Sequence, residues 1–476
     1  MTLPRDALQQ AVDQAKRERG QPAVSFQLPD GTLVEMVHDP DADTTRFCVG
    51  LGDEWRFEPH VLVRGERRVP YSSTNNLLRH GVVLLPSGPE EYDSEAALVA
   101  RLRAFIHRYV DLSPVFEELA VSYVLLTWLY DRFNELPYLR VRGDAGSGKT
   151  RFLLVVGSVC YKPIFASGAS TVSPLFRILD AFRGTLILDE SDFRVSDERA
   201  EVVKILNNGN ARGFPVLRSE QISHREFDPR AYAVFGPKLV ATRGFFEDRA
   251  LESRCLTEEL GQGRLRTDIP INLPDIYQTE ARHLRNQLLL FRFRHWHRER
   301  ATEPLVDRGL EPRLNQIFTP LLAVMDDDVS RAQLRAFGRR LQRQTVADRG
   351  FEVEARVLEI IRDLAETPEG SRLAVKDITQ WFADRFGDEY DTKVSTKWIG
   401  GVIRRKLLLR TQKSHGVFVI PPGEQPKLEP LYEKYGIGQP DAGAEIEPLE
   451  TRPNAAEGAV PGGRVDMGDV GDFGRR

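Results

Sequence analysis

The eight residues GDAGSGKT, at positions 143–150, constrain this chain more than any other stretch. Gly143, Asp144, Ala145, Gly146, Ser147, Gly148, Lys149 and Thr150 satisfy the phosphate-loop pattern G-x-x-x-x-G-K-[ST], which works only between a strand and a helix. The flanks supply both. YLRVR at 138–142 alternates as a strand does, and residues 151–160 read as a helix. Glycines let backbone N–H groups turn toward a polyphosphate, and the helix N-terminus adds partial positive charge. In such a loop Lys149 reaches the β- and γ-phosphates, and the Thr150 hydroxyl holds Mg²⁺. The expected ligand is a nucleoside triphosphate with its magnesium ion.

The strand GTLILDE, at 184–190, sets four apolar residues ahead of two carboxylates, the form of a buried strand whose C-terminal end meets a nucleotide. Asp189 is expected in the Mg²⁺ shell, and Glu190 as the general base that polarises the attacking water. A further strand, KLVAT, ends in Thr242, placed to touch the γ-phosphate or to make a turn hydrogen bond of its own. DRALESRC follows at 248–255. From the far edge of the core, Arg254 reaches a neighbour's phosphate loop rather than its own, unless it is a salt-bridged surface arginine.

The series GDAGSGKT, LILDE, KLVAT and ALESRC, in this order, resembles the AAA+ ATPase module. ALESRC is similar to the Ser-Arg-Cys box of clamp loaders and the Ser-Arg box of minichromosome-maintenance helicases, whose arginine acts across the subunit interface; Arg254 matches it. The resemblance implies ATP as the nucleotide, Thr242 at the first sensor position (where asparagine is commoner), and a helical lid carrying a second-sensor arginine. Arg313 in EPRLNQI is the best positional match, with Arg285 in ARHLRNQLL as a rival. ILNNGNARGFPVLR (205–218) and GPKLVATRGFFEDRALESRC (236–255) resemble ATPases of plasmids, phages and other mobile elements. Those are similar to replicative helicases and are often joined to primase or winged-helix domains. The likeness covers about 120–345.

Charge and composition fix the remaining organisation. With 476 residues, 41% hydrophobic and 29% charged, the chain is long enough for several domains. The net charge of −4 is carried entirely by 438–476, which holds eight acidic and four basic residues and 12 Gly or Pro, the signature of a disordered tail. Three cysteines without ligand spacing argue against disulfides and zinc. The charged N-terminus lacks a signal-type apolar core, and the most apolar helix, about 121–130, is too short for a bilayer, so a cytoplasmic setting is expected.

The expected fold class is α/β: a phosphate-loop AAA+ core of parallel sheet covered by helices, with a lid, an N-terminal β-rich domain and a C-terminal winged helix. The expected boundaries are 1–92 for an initial helix plus β-rich domain, 93–275 for the core, 276–345 for the lid and 351–425 for the winged helix. Two places are expected to meet DNA. A hairpin pairing 214–220 with 231–235, ahead of the sensor strand, is comparable to one that replicative helicases project into a ring pore; Arg212, Arg218, His224 and Arg225 are its candidate phosphate contacts. In the C-terminal unit, residues 392–423 carry seven bases and no acid, whereas 351–391 carry eleven acids against five bases. Lys393, Lys397, Arg404, Arg405, Lys406 and Lys413 are the candidates there, on a third helix and the wing after it. The function expected is a ring-forming ATPase, a hexamer by resemblance, that translocates on or unwinds DNA in replication of a mobile element, with a primase as a possible partner. A DNA-binding initiator switch, or a defence or signalling ATPase acting on a partner protein, are the alternatives.

Overall fold

Runs rich in β-branched and aromatic residues, punctuated by Asp, Gly and Pro, open the chain and pair locally. The computed structural model describes residues 20–167, 172–189, 196–223, 226–261, 265–350, 352–367, 372–387 and 394–438. The expected N-terminal helix and acidic tail lie outside them, save their end residues Gly20 and Gly438. Seven strands come first: β1 (Gln21–Ala23), β2 (Ser25–Gln27), β3 (Leu33–Asp39), β4 (Thr44–Leu51), β5 (Glu54–Glu58), β6 (Val61–Val63) and β7 (Glu66–Pro70). They form an antiparallel sheet in the order β2-β3-β4-β5 and a smaller one in the order β1-β7-β6. Five successive residues of β3 are buried, so both faces of that strand are covered.

The helices α1 (Asn76–Arg79), α2 (Glu95–Tyr109) and α3 (Pro114–Leu129) lead into an alternating α/β series. It runs β8 (Tyr138–Arg142), α4 (Lys149–Ser158), β9 (Ile164–Ser167), α5 (Val172–Phe182), β10 (Leu186–Asp189) and α6 (Ser196–Asn208). A hairpin follows, β11 (Val216–Ser223) and β12 (Glu226–Tyr232), then β13 (Lys238–Thr242), α7 (Arg249–Glu252) and β14 (Cys255–Glu259). The central sheet is all parallel, in the order β14-β8-β13-β10-β9. A strand therefore separates the phosphate-loop strand from the acidic one. β14 escapes the sequence reading because CLTEE offers only two apolar residues, enough for an edge strand but too few for a pattern.

Side chains alternate across this sheet. Leu139, Val141, Ile187, Leu239 and Leu256 face a core made with α2, α3, α4, α8 (Ile276–His295) and α9 (Pro312–Ala323). Tyr138, Leu186, Leu188 and Val240 face a second core with α5, α6 and the N-terminal strands. The segment expected as a lid thus shares one continuous apolar core with the phosphate-loop helix. The β-rich segment is fastened by a buried ionic cluster. Glu35 on β3 accepts from Tyr161 at 2.8 Å and from Arg292 on α8 at 2.8 Å, and lies 2.9 Å from Lys162. Arg292 also binds Asp131 at 2.6 Å.

The chain divides between Arg343 and Gln344 into two compact units, with α10 (Asp328–Gly350) running through the division. The second unit contains α11 (Val353–Ala365), β15 (Leu373–Ala374), α12 (Val375–Phe386), α13 (Thr396–Arg405), β16 (Gln412–Ser414), β17 (Val417–Ile420) and α14 (Leu428–Tyr435). Its three strands form an antiparallel sheet, β15-β17-β16, over a core of Leu358, Ile361, Ile378, Phe382, Ile399 and Ile403. Among the described residues no helix is long and apolar enough to cross a membrane.

Candidate nucleotide site and its distant arginine

Two glycines let the loop after β8 fold back tightly. A Cβ at Gly143 would stand 2.6 Å from the Leu260 carbonyl oxygen, so only glycine fits. Gly148 has φ +96°, the left-handed conformation that glycine adopts freely, and it starts α4 without a side-chain cap. α4 also has no acidic residue in its first turn, so its N-terminal N–H groups and dipole are left for an anion. The Lys149 ammonium donates to the carbonyls of Gly143 and Asp144 at 2.7 and 2.6 Å. Burial pushes its pKa below the ordinary lysine value, against the pull of Asp189.

Parallel pairing brings the acidic strand to this loop. The Thr150 hydroxyl donates to Asp189 Oδ2 at 3.1 Å. Adjacent ligands of an octahedral Mg²⁺ are about 2.9 Å apart, so these two oxygens fit such an ion. Glu190, the expected base, lies outside the described residues. This is a phosphate-loop α/β core. Asp144, Ala145, Gly146 and Ser147 complete the turn, and the Ser147 hydroxyl is buried without a hydrogen bond.

Thr242 ends β13 opposite Arg142, and its carbonyl accepts from Gly143 N at 3.3 Å. Its hydroxyl, expected at the γ-phosphate, instead donates to the Gly244 carbonyl at 2.9 Å, the turn bond of the alternative reading. The next residue, Arg243, is exposed, and its charge also opposes protonation of Lys149. Sequence reasoning missed it; the only signal was an arginine directly after a sensor-type strand.

Arg254 stands at the other end of the sheet. Its carbonyl accepts from Tyr138 N at 2.9 Å, where β8 begins. The phosphate loop follows the end of β8, five residues further on, about 16 Å at 3.3 Å per residue. Asn207 of α6 holds the Arg254 guanidinium through its backbone carbonyl at 3.2 Å and through its side chain, and donates to Asp248 at 2.6 Å. Glu252 of the same box pairs with the buried Arg140 of β8 and accepts from Phe246 N at 2.9 Å. Asn207 and Glu252 are supports that the motif alone did not reveal.

Neither second-sensor candidate stands over its own phosphate loop. Arg313 is in the first turn of α9, within electrostatic reach of Arg254, Glu135 and Tyr138, at the edge remote from the nucleotide site. Arg285 is buried and donates to the Ser158 carbonyl at 2.7 Å, tying down the C-terminal end of α4; burial lowers its pKa to about 10. Spacing along a helix does not say which edge of the sheet the helix meets.

The hairpin ahead of β13 exists but pairs Val216 with Tyr232 and Ser223 with Glu226, longer than expected. Of its expected phosphate contacts, Arg212 instead donates to the Phe133 and Asp131 carbonyls and lies over Phe235. Arg218 is paired with Glu201 and stacked on Phe176. Both are engaged within the fold, because the hairpin lies along α5 and α6. His224 and Arg225, at the tip, fall outside the described residues, as does Lys393. In the second unit Lys397, Arg404, Arg405, Lys406 and Lys413 are all exposed. Arg404 donates to Thr411 at 3.1 Å and Lys406 lies 3.5 Å from Glu354. Trp398 is partly exposed and edge-on to Phe382 at 5.8 Å, rather than wholly core.

No family model and no curated protein matches this chain. Among solved structures it is similar to the NrS-1 C-terminal region at 11% identity, over 81% of this chain and 95% of that one, with TM-score 0.35. It is similar to the SCCmec type IV Cch active helicase at 12%, over 89% and 84%, with TM-score 0.37. Cdc6p from Pyrobaculum aerophilum matches at 11%, over 73% and 94%, with TM-score 0.17. Likenesses this remote carry no functional argument.

Proposed function

We propose that this chain is an ATPase that assembles into a hexameric ring and couples hydrolysis to movement along, or melting of, DNA, in replication of a plasmid, phage or integrated element. The observation that carries this reading is the separation of Arg254 from its own phosphate loop by the length of the sheet. A cation held at that edge serves a nucleotide only if the nucleotide belongs to a neighbouring copy, and a closed ring gives every site one such arginine.

In this scheme Lys149 and the N-terminal N–H groups of α4 bind the phosphates, while Thr150 and Asp189 hold Mg²⁺. The ion, when bound, would neutralise charge on the phosphates. Glu190 takes the proton of the attacking water, and the neighbour's Arg254 compensates charge building on the γ-phosphate. We read the second unit as a winged helix, in which α13 would enter the major groove and β16–β17 would track the backbone. Its exposed bases suit phosphates.

Mixing variants tests the composite site. Lys149→Ala and Arg254→Ala are each expected to be inactive, whereas a mixture recovers turnover where an intact loop meets an intact arginine. No recovery, or normal turnover by Arg254→Ala alone, removes the shared site. Stimulation by single-stranded or forked DNA of any sequence supports translocation. Sequence-specific duplex binding with slow turnover points to an initiator switch, and indifference to DNA to a partner-protein ATPase.

A further inference from the structure

β13 lies between β8 and β10, and its register fixes what stands at its end. Ala241 is opposite Asp189 on one side, and Thr242 is opposite Arg142 on the other. The following residue, Arg243, is therefore level with Gly143, the first glycine of the phosphate loop, and two residues beyond the level of Asp189. Thr242 does not compete for that place. It is buried, and its hydroxyl proton is given to the Gly244 carbonyl at 2.9 Å, which closes a turn around Arg243.

The turn is buttressed from behind. Phe245 stacks on Arg142 at 3.5 Å, and Phe246 is buried with its N–H bonded to Glu252. Arg243 itself is exposed and, among the described residues, makes no hydrogen bond or ion pair. The register thus sets two cations, Lys149 and Arg243, at the C-terminal edge of the sheet, on either side of the turn that begins at Gly143. Like charges brought together beside an uncapped helix N-terminus are relieved by a polyanion.

We infer that Arg243 is the residue that binds the γ-phosphate of the nucleotide held on its own phosphate loop, with Thr242 as the positioning residue that shapes its turn. This rests on the nucleotide reading proposed above. Arg243 fills, in the same subunit, the sensing role that neither Arg313 nor Arg285 is placed to fill. A guanidinium is suited to it, because its planar fork matches two oxygens of a terminal phosphate that a diphosphate lacks.

The test uses the full-length chain with Mg²⁺ and two fluorescent probes, N-methylanthraniloyl ADP and the matching β,γ-imido triphosphate, together with ATP turnover. Arg243→Ala is expected to bind the ADP probe within about twofold of wild type, and to lose about tenfold to a hundredfold for the triphosphate probe. Turnover falls by a comparable factor or more, and Arg243→Lys restores part of both. Thr242→Val, which removes only the turn bond, gives a smaller loss. Arg243 is exposed, so an unchanged melting temperature checks that the variant folds. Unaltered triphosphate binding and turnover in Arg243→Ala overturns the inference, as does a full loss in Thr242→Val with none in Arg243→Ala. Lys149→Ala separates the two readings. If it still binds both probes, the nucleotide site itself is wrong; if it binds neither while Arg243→Ala is silent, only the assignment of Arg243 falls.

Discussion

Lys238 begins β13 wholly buried, with its ammonium donating to the Val234 and Gly236 carbonyls at 3.0 and 2.7 Å. No carboxylate is among its hydrogen-bond partners, and burial brings its pKa from 10.5 to about 7. Between those two values the unfolded chain holds the proton and the folded chain does not, so this lysine makes stability rise with pH over that window. The slope for one full proton is about a kcal/mol per pH unit. Lys238→Met is expected to flatten it: urea unfolding at pH 7 and pH 9.5 should show a smaller gain in the variant than in wild type. Equal gains would mean that Lys238 stays charged inside the fold. Lys162 is buried as deeply but lies 2.9 Å from Glu35, and its pKa stays nearer its ordinary range, at about 8.

At the scale of elements, α13 shows a sequence choice that secondary-structure propensity opposes. Gly400 and Gly401 interrupt the helix, each costing about 1 kcal/mol relative to alanine. The guanidinium of Arg404 lies where a Cβ at position 400 would come within 3.1 Å, and that of Arg405 within 2.8 Å of one at 401. The glycines let both arginines lie flat along the helix. Gly401→Ala is therefore expected to stabilise the second unit by up to about 1 kcal/mol in thermal unfolding while displacing Arg405 and weakening duplex DNA binding. Unchanged DNA affinity would remove Arg405 from the interface. Such particulars separate what the sequence makes legible from what it hides. The strands at 138–142, 186–189 and 238–242 were readable because apolar runs end in polar functional residues. The full length of the hairpin arms was not, because EQISHREFDPR lacks a turn dipeptide to set its register and places Pro229 inside a strand that has a free edge. Within the site, the phosphate loop and Asp189 follow from spacing along one chain direction. Which edge Arg313 meets, and where the Thr242 hydroxyl points, depend on packing of α9 and on a two-residue turn that no periodicity encodes.

For the whole molecule, the shared site proposed above would make activity a property of assembly. Turnover per chain is expected to fall steeply as protein is diluted below the dissociation constant of the ring, measured by steady-state phosphate release across a concentration series. A rate per chain that stays constant after light scattering reports monomers would dismiss the shared site. The same geometry gives Arg140 and Glu252 a meaning beyond stability. Their pair ties residues 243–254, with an arginine at each end, to the buried Arg140 of β8. Under the proposed function one end would meet the nucleotide of its own copy, and the other, released from Asn207, that of the next. In the ring proposed above, nucleotide loading in one copy would therefore bear on the arginine offered to the next, and the tie between them would set the order in which copies turn over.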